Sequence, residues 1–420
     1  MLFLLFCVQN YEKKRKVVSL FLKICNFAPM KHQIIVGLDA KRIVRNGTGL
    51  GSYGRTLVND LAGIGELDLR LYAPDSGRDD LRCQVPERDN LHFVYPRFYG
   101  QDSPPSALLS PLSSLRKAYW RSRGIVKQLQ QDGVGVFHGL SGELPVGIRK
   151  AGIRTVVTIH DLIFMRHPEY YNWMDVQIYK RKFFQTLREA DRIVAISECT
   201  RRDISELGGV PKERIDLIYQ SCAQRFCQTR DEIVLNTVRD RYQLSERFIL
   251  SVGTIEERKN AMLAVRALHW LPSEVSLVLV GRSTDYARKI VSLARRENLA
   301  HRVAFLHGVP DEDLPAIYSL AEAFVYPSRY EGFGIPIIEA IRMGLPVVAC
   351  TGSCLEEAGG PDSLYVGPDD AEGLAAALQQ VLRGAEGREA RIERSLAYIR
   401  RFENSDAAQG FAHVYADLNR

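Results

Sequence analysis

The sequence has no apolar run long enough to cross a bilayer as a helix, so no membrane-spanning segment is expected. Its 8 cysteines lack metal-finger spacing. Cys222 and Cys227 lie close together, as do Cys350 and Cys354, but neither pair has a matching pair or nearby histidines. That argues against a structural zinc site, and scattered thiols in a chain this long fit a reducing, cytoplasmic setting better than a disulfide framework. A strong charge of one sign is missing as well. Lys and Arg number 56 against 50 Asp and Glu, an excess of +6 that is too weak to argue for nucleic acid. A local basic patch facing anionic lipid or phosphate stays open. There is no internal repeat and no low-complexity tract.

What the 420 residues do supply is enough chain for two buried cores. From Met30 onward short apolar stretches alternate with amphipathic ones, which argues for parallel sheets with helical crossovers, an α/β fold. Strands are expected at 33–38, 69–73, 91–95, 134–138, 154–159, 192–196 and 214–219. A second group is expected at 247–252, 275–280, 302–306, 323–326 and 346–349. The stretch 220–245 between them is polar and poor in strand signal, which marks a linker. The reading is two doubly wound, Rossmann-like domains facing a cleft, at 30–225 and 226–404, with a final helix in 405–420. Residues 1–29 differ from the rest: a short apolar start without a basic leader, then a Lys/Arg cluster at 13–16 and no clear cleavage site. They are expected to be a disordered extension or the product of an upstream start codon before Met30, with a weak membrane-touching segment as the second reading.

The most informative stretch is 328–340. Glu331 and Glu339 bracket the turn Gly332, Phe333, Gly334 and Ile335, which runs straight into a helix favoured by Pro336. Turn amides at a helix N-terminus can converge on an anion, aided by the dipole. One acid can then meet each end of a phosphate-bearing ligand, which is what a nucleotide-sugar requires. An ordinary loop–helix junction with two solvated glutamates is the plain alternative.

Taken with Gly344, Leu345, Pro346, Val347, Val348 and Ala349, this stretch resembles the donor-site signature of family 4 (GT4) of the retaining glycosyltransferases. The resemblance covers nearly all of 31–418 and is nearest to bacterial mannosyltransferases that build surface polysaccharides. It implies the GT-B arrangement, an acceptor-side first domain, a nucleotide-sugar-binding second domain and a final helix packing back on the first. It further implies that Glu331 binds hydroxyls of the transferred sugar without acting as a nucleophile, and that Glu339 takes the ribose hydroxyls.

Further motifs fall where strands end. Gly49, Gly51 and Gly54 open a helix and also satisfy G-x-G-x-x-G, with Asp75 following a later strand. A dinucleotide-binding oxidoreductase is thus a rival, but the glycines begin at 47, too far past a strand ending at 38 for that fold's tight first turn. In the glycosyltransferases a similar loop lies near the donor phosphates. His160 and Asp161 end a buried strand, and the resemblance places His160 at the donor sugar, in a contact expected to be pH-sensitive. Asp161 either orients His160 or contacts the acceptor, with a helix cap as its plain reading, and structure is the plain reading of His138. Gly253 opens the second domain's first loop, where Arg258 and Lys259 would offer a fork and a point charge to the pyrophosphate. Many members carry an arginine at the position of Thr254, so the share borne by Arg258 is less defined than that of Lys259. Gly281 and Val309 would frame the base. Asp311 and Asp313 match D-x-D but start a helix, so a cap is expected and no metal or cofactor. Where the family often has N-G-x-D, this chain has Gln220, Ser221, Cys222 and Ala223.

The expected activity is transfer of a hexose onto a saccharide or polyprenyl-linked saccharide acceptor. Mannose from GDP-mannose is the favoured donor and a UDP-sugar the alternative. A silent sugar-nucleotide-binding module would have no reason to keep His160, Lys259, Glu331 and Glu339 together. Two basic aromatic stretches, 115–123 and 179–184, read first as solvated helix faces, with a peripheral contact at the inner face of the plasma membrane as the alternative that a polyprenyl-linked acceptor would favour.

Overall fold

The computed structural model describes residues 33–97, 111–228, 231–402 and 404–420. The expectation for residues 1–29 lies outside the described residues. Strands β1 (Ile34–Asp39), β2 (Leu67–Tyr72), β3 (Leu91–Val94), β4 (Val136–Gly139), β5 (Arg154–Ile159), β6 (Arg192–Ala195) and β7 (Ile215–Leu217) form one sheet. Their order is β3-β2-β1-β4-β5-β6-β7. A second sheet contains β8 (Phe248–Val252), β9 (Ser276–Val280), β10 (Val303–Leu306), β11 (Ala323–Tyr326), β12 (Val347–Cys350) and β13 (Leu364–Val366), ordered β10-β9-β8-β11-β12-β13. Neighbouring strands in both pair in parallel. The fold is therefore α/β, two Rossmann-like sheets of doubly wound order.

Parallel strands are covered on both faces, so they read as nearly unbroken apolar runs; Val36, Leu69, Val156, Phe248 and Val348 are fully buried. In each sheet the strand order reverses beside its first strand, between β1 and β4 and between β8 and β11. Ligand crevices form at such reversals, outside the carboxyl ends of the strands.

Three local features depart from the sequence reading. The three-residue β13 is too short to show a periodicity. A helix, Lys41–Arg45, lies between β1 and the glycine turn, which explains the long gap before Gly47. The expected linker holds the helix Glu232–Tyr242, which packs against the second-half helix Leu314–Leu320 and buries Val238. The final helix, Asn404–Leu418, lies on the helix Gly49–Leu61 and buries Phe411 and Tyr415 in the core of the first sheet.

Candidate donor site between the two sheets

The second-half wall begins where β11 ends at Tyr326. Glu331 is only 8% exposed, yet it faces two cations. Lys259 Nζ lies 2.5 Å from one carboxylate oxygen and Arg258 Nη1 2.9 Å from the other. Both cations sit on the short 3-10 turn Glu257–Lys259, held by Asn260 in left-handed conformation (φ 54°) with its side-chain amide donating to the Pro368 carbonyl. Lys259 also donates to the Tyr326 hydroxyl at 2.6 Å, and Arg258 to the Tyr330 carbonyl at 2.6 Å. Burial alone would raise the Glu331 pKa, but Lys259 and then Arg258 outweigh it and hold the group at about 2.

Downstream, Gly334 takes φ 116°, a conformation open to glycine, and caps the helix Ile335–Arg342. Pro336 is the second helical residue, and Glu339 lies at the start of the second turn. Glu339 is as enclosed as Glu331, at 8%, but receives one hydrogen bond, from the Tyr318 hydroxyl at 3.1 Å. Burial pushes its pKa up to about 7, against a smaller opposing effect of Arg225. The Phe333 side chain does not face the crevice. It is buried between Tyr219 and Phe402, at ring distances of 5.6 and 5.2 Å. Ile335 and Val309 pack at the edge of the same core. Gly253 and Gly281 follow β8 and β9; a Cβ on Gly281 would lie 1.9 Å from the Gly253 carbonyl oxygen, so these two edges touch backbone to backbone.

The donor loop meets the opposite half directly. A Cβ on Gly332 would lie 2.1 Å from the His160 carbonyl oxygen. The Gly332 carbonyl accepts hydrogen bonds from Ser197 Oγ at 2.6 Å and Thr200 Oγ1 at 3.2 Å. Glu357 of the second half accepts from the Glu198 amide at 2.8 Å, at the N-terminus of the first-half helix Glu198–Gly208. The structure thus brings His160, Arg258, Lys259, Glu331 and the Gly332–Gly334 turn to one crevice.

His160 has both ring nitrogens engaged: Nε2 with the Leu140 carbonyl and Nδ1 with Gln220, each at 2.8 Å. Burial lowers its pKa to about 4, so the expected neutral-range pH sensitivity is not a property of this imidazole. Asp161 accepts from the Ile163 amide in a local turn one residue ahead of Leu162, the N-cap of the helix Ile163–Arg166, so it is not itself the cap. His138 is structural. Its fully buried ring bridges the Tyr415 hydroxyl at 2.6 Å and Thr158 Oγ1 at 2.8 Å. Gly49 starts its helix in open space, whereas Gly51 is pressed onto the Asn46 carbonyl. Asp311 pairs with Arg225 at 3.3 Å, and Asp313 receives Arg241 and the Tyr242 hydroxyl, each at 2.6 Å. Asp313 holds the N-cap position of its helix, but its side chain bonds these partners instead of the helix amides.

Sequence reasoning missed a cavity of about 690 Å³ at the carboxyl edge of the first sheet, lined by Asp39, Lys41, Asp75, Lys117, Arg121 and Glu143 among others. Arg121 bridges Asp39 at 2.6 Å and Glu143 at 2.5 Å, and Lys117 pairs with Asp75 at 2.8 Å. Lys117, Arg121 and Lys182 were visible only as parts of basic stretches. Their inward ion pairs depend on acids far away in sequence. Leu115 and Tyr119 in the first stretch, and Trp173, Met174 and Ile178 just ahead of the second on the helix Trp173–Glu189, are half or more exposed. Among the described residues no helix is long and apolar enough to cross a membrane.

Comparison with known proteins agrees with this geometry. Residues 239–397 match the model for glycosyl transferases group 1, and residues 48–221 match that for Glycosyltransferase Family 4. The chain is 31% identical to O-antigen chain mannosyltransferase B of Escherichia coli, over 84% of this chain and 92% of that protein. It is 27% identical, over 48% of this chain and 53% of the relative, to a GDP-mannose-dependent phosphatidylinositol monomannoside mannosyltransferase of Mycolicibacterium smegmatis. The crystal structure of Anabaena HepE in complex with UDP superposes with a TM-score of 0.68 at 18% identity, covering 91% of this chain and 99% of HepE. With the GT-B fold and the paired domain matches in place, this chain belongs to glycosyltransferase family 4 and is a glycosyltransferase.

Proposed function

We propose that the enzyme transfers mannose from GDP-mannose, with retention of anomeric configuration, to a saccharide or polyprenyl-linked saccharide in cell-surface polysaccharide synthesis. The observation that carries this reading is the buried Glu331 carboxylate, clamped by Lys259 and Arg258 beside a helix N-terminus. A donor entering here meets two cations for its diphosphate, and Glu331 for hydroxyls of its sugar. As the bond from the anomeric carbon to phosphate oxygen breaks, Lys259 and Arg258 stabilise the negative charge that develops on the leaving GDP. The acceptor hydroxyl attacks on the same face, and its proton passes to the departing phosphate oxygen. Glu339 takes the ribose hydroxyls, and His160 contributes from the opposite wall. The O-antigen and GDP-mannose-dependent relatives support the choice of donor.

The acceptor is assigned to the cavity around Arg121, whose carboxylates suit sugar hydroxyls. Exposed Leu115, Tyr119, Trp173 and Met174 lie among basic residues on flanking helices, which suits peripheral contact with an anionic cytoplasmic leaflet. A donor panel tests the central claim. GDP is expected to raise the melting temperature more than UDP at equal concentration, since stabilisation follows affinity. GDP-mannose is expected to give an α-linked product in the presence of EDTA. Stronger protection by UDP would overturn the donor, an inverted product the stereochemistry, and complete metal-rescuable loss the metal-free step.

A further inference from the structure

Where related enzymes often carry an asparagine–glycine turn, this chain places Gln220, 7% exposed and within hydrogen-bond distance of the His160 ring. The geometry leaves one arrangement of hydrogens. The Leu140 carbonyl can only accept, so His160 Nε2, 2.8 Å away, carries a hydrogen. In a neutral ring the other nitrogen is then an acceptor, and the group facing it must donate. Gln220 therefore turns its amide nitrogen, at 2.8 Å, toward Nδ1.

We propose that Gln220 is a positioning residue: by donating to Nδ1 it fixes His160 as the neutral Nε2–H tautomer in the donor crevice. The surroundings agree from each side. Tyr53 presents its ring edge-on at 4.7 Å. Arg42, on the helix after β1, opposes a positive charge on the ring, and His138, on the neighbouring strand, is held neutral chiefly by its own burial. Asp161, next in sequence, faces the attractive charges of Arg258 and Lys259 and the repulsive charge of Glu331. A fixed ring keeps the His160 carbonyl against Gly332, where Thr200 Oγ1 also donates to it at 3.1 Å. A neutral ring adds no positive charge beside an anomeric carbon that itself becomes cationic during transfer. The kinetic part of this inference rests on the transferase mechanism above; the tautomer does not.

Nitrogen NMR of the ring-labelled full chain, with His160→Asn identifying its signals among the 9 histidines, reads the tautomer without any substrate. The wild type is expected to show a protonated Nε2 and an acceptor Nδ1, unchanged from about pH 5 to pH 8, where an ordinary histidine titrates. Gln220→Glu replaces the donor with a carboxylate, so Nδ1 gains a proton, both nitrogens read as protonated near neutrality, and the pH profile of kcat acquires a new ionisation. Its kcat is expected to fall about tenfold, with donor KM changing less than twofold. Gln220→Met, which neither donates nor ionises, is expected to lose kcat severalfold without the new ionisation. A wild-type His160 that titrates normally, or carries its proton on Nδ1, overturns the proposal. So does a Gln220→Glu enzyme whose ring signals and pH profile match the wild type. Should Gln220→Glu fail to fold, the wild-type spectrum and Gln220→Met decide the matter, and an error in the donor assignment leaves the spectrum unaffected.

Discussion

Glu331 and Glu339 lie on either side of one turn, equally enclosed, and differ in how firmly they hold a negative charge. Two cations from a single turn meet Glu331 and keep its pKa at about 2, whereas Glu339 meets a tyrosine hydroxyl and sits at about 7. Identical side chains at similar burial differ by what the rest of the chain brings to them. A buried carboxylate with two ion-pair partners keeps its charge; one with a neutral donor and a weaker cationic influence is pushed by burial toward the neutral form.

The comparison breaks first at the ionised end. Glu331→Ala and Lys259→Ala are each expected to lower turnover at least about a hundredfold, as loss of a charge contact to the transition state does. Of the two, Glu331→Ala should also cost more stability, about 3–5 kcal/mol, because it takes the carboxylate from buried Lys259 and leaves Arg258 only Glu256, while Lys259→Ala leaves Glu331 paired with Arg258. Chemical denaturation of both purified variants checks this, and near-normal turnover in either removes the donor assignment. Glu339→Gln is expected to raise donor KM about tenfold with kcat little changed, the pattern of a binding contact. An equal loss in kcat would place Glu339 in the chemical step instead.

A pH series sharpens the contrast. Glu331, with a depressed pKa, contributes stability that is present above the unfolded value near 4.5 and is lost as pH falls toward about 2. Glu339, with a raised pKa, contributes stability present below that value and lost as pH rises through about 7. GDP affinity is therefore expected to rise severalfold between about pH 6 and pH 8, because the ionised carboxylate is the stronger acceptor for ribose hydroxyls. Calorimetric titration follows it, and a flat profile in Glu339→Gln is the control. The smallest effect belongs to Tyr318→Phe. Removing its hydroxyl from Glu339 should move that midpoint slightly upward while leaving kcat near wild type.

The sheet architecture was legible because parallel strands buried on both faces are near-continuous apolar runs. The donor wall was legible because its parts are compact: Arg258 with Lys259, and Glu331 through Glu339. The pairing of His160 with Gln220 was not, since the signal was only a departure from a familiar turn, without periodicity. Phe333 misled in a different way: its backbone belongs to the turn, but its ring serves the core between Tyr219 and Phe402. The cavity around Arg121 was hidden for want of proximity. Asp39 ends one strand and Asp75 and Glu143 follow two others, and only the sheet brings them to Arg121 and Lys117.

The bare Cα of Gly332 against the His160 carbonyl has a consequence for how such enzymes can be recombined. The two halves resemble exchangeable modules, each with its own sheet and core. Yet the proposed donor site lies at a seam, closed by Ser197 and Thr200 from one side and the Gly332 carbonyl from the other. A chimera that imports a foreign second half takes over its loop, but not the fit of that seam. The halves are matched parts, and swapping specificity between relatives requires carrying residues 197–200 along with the donor loop.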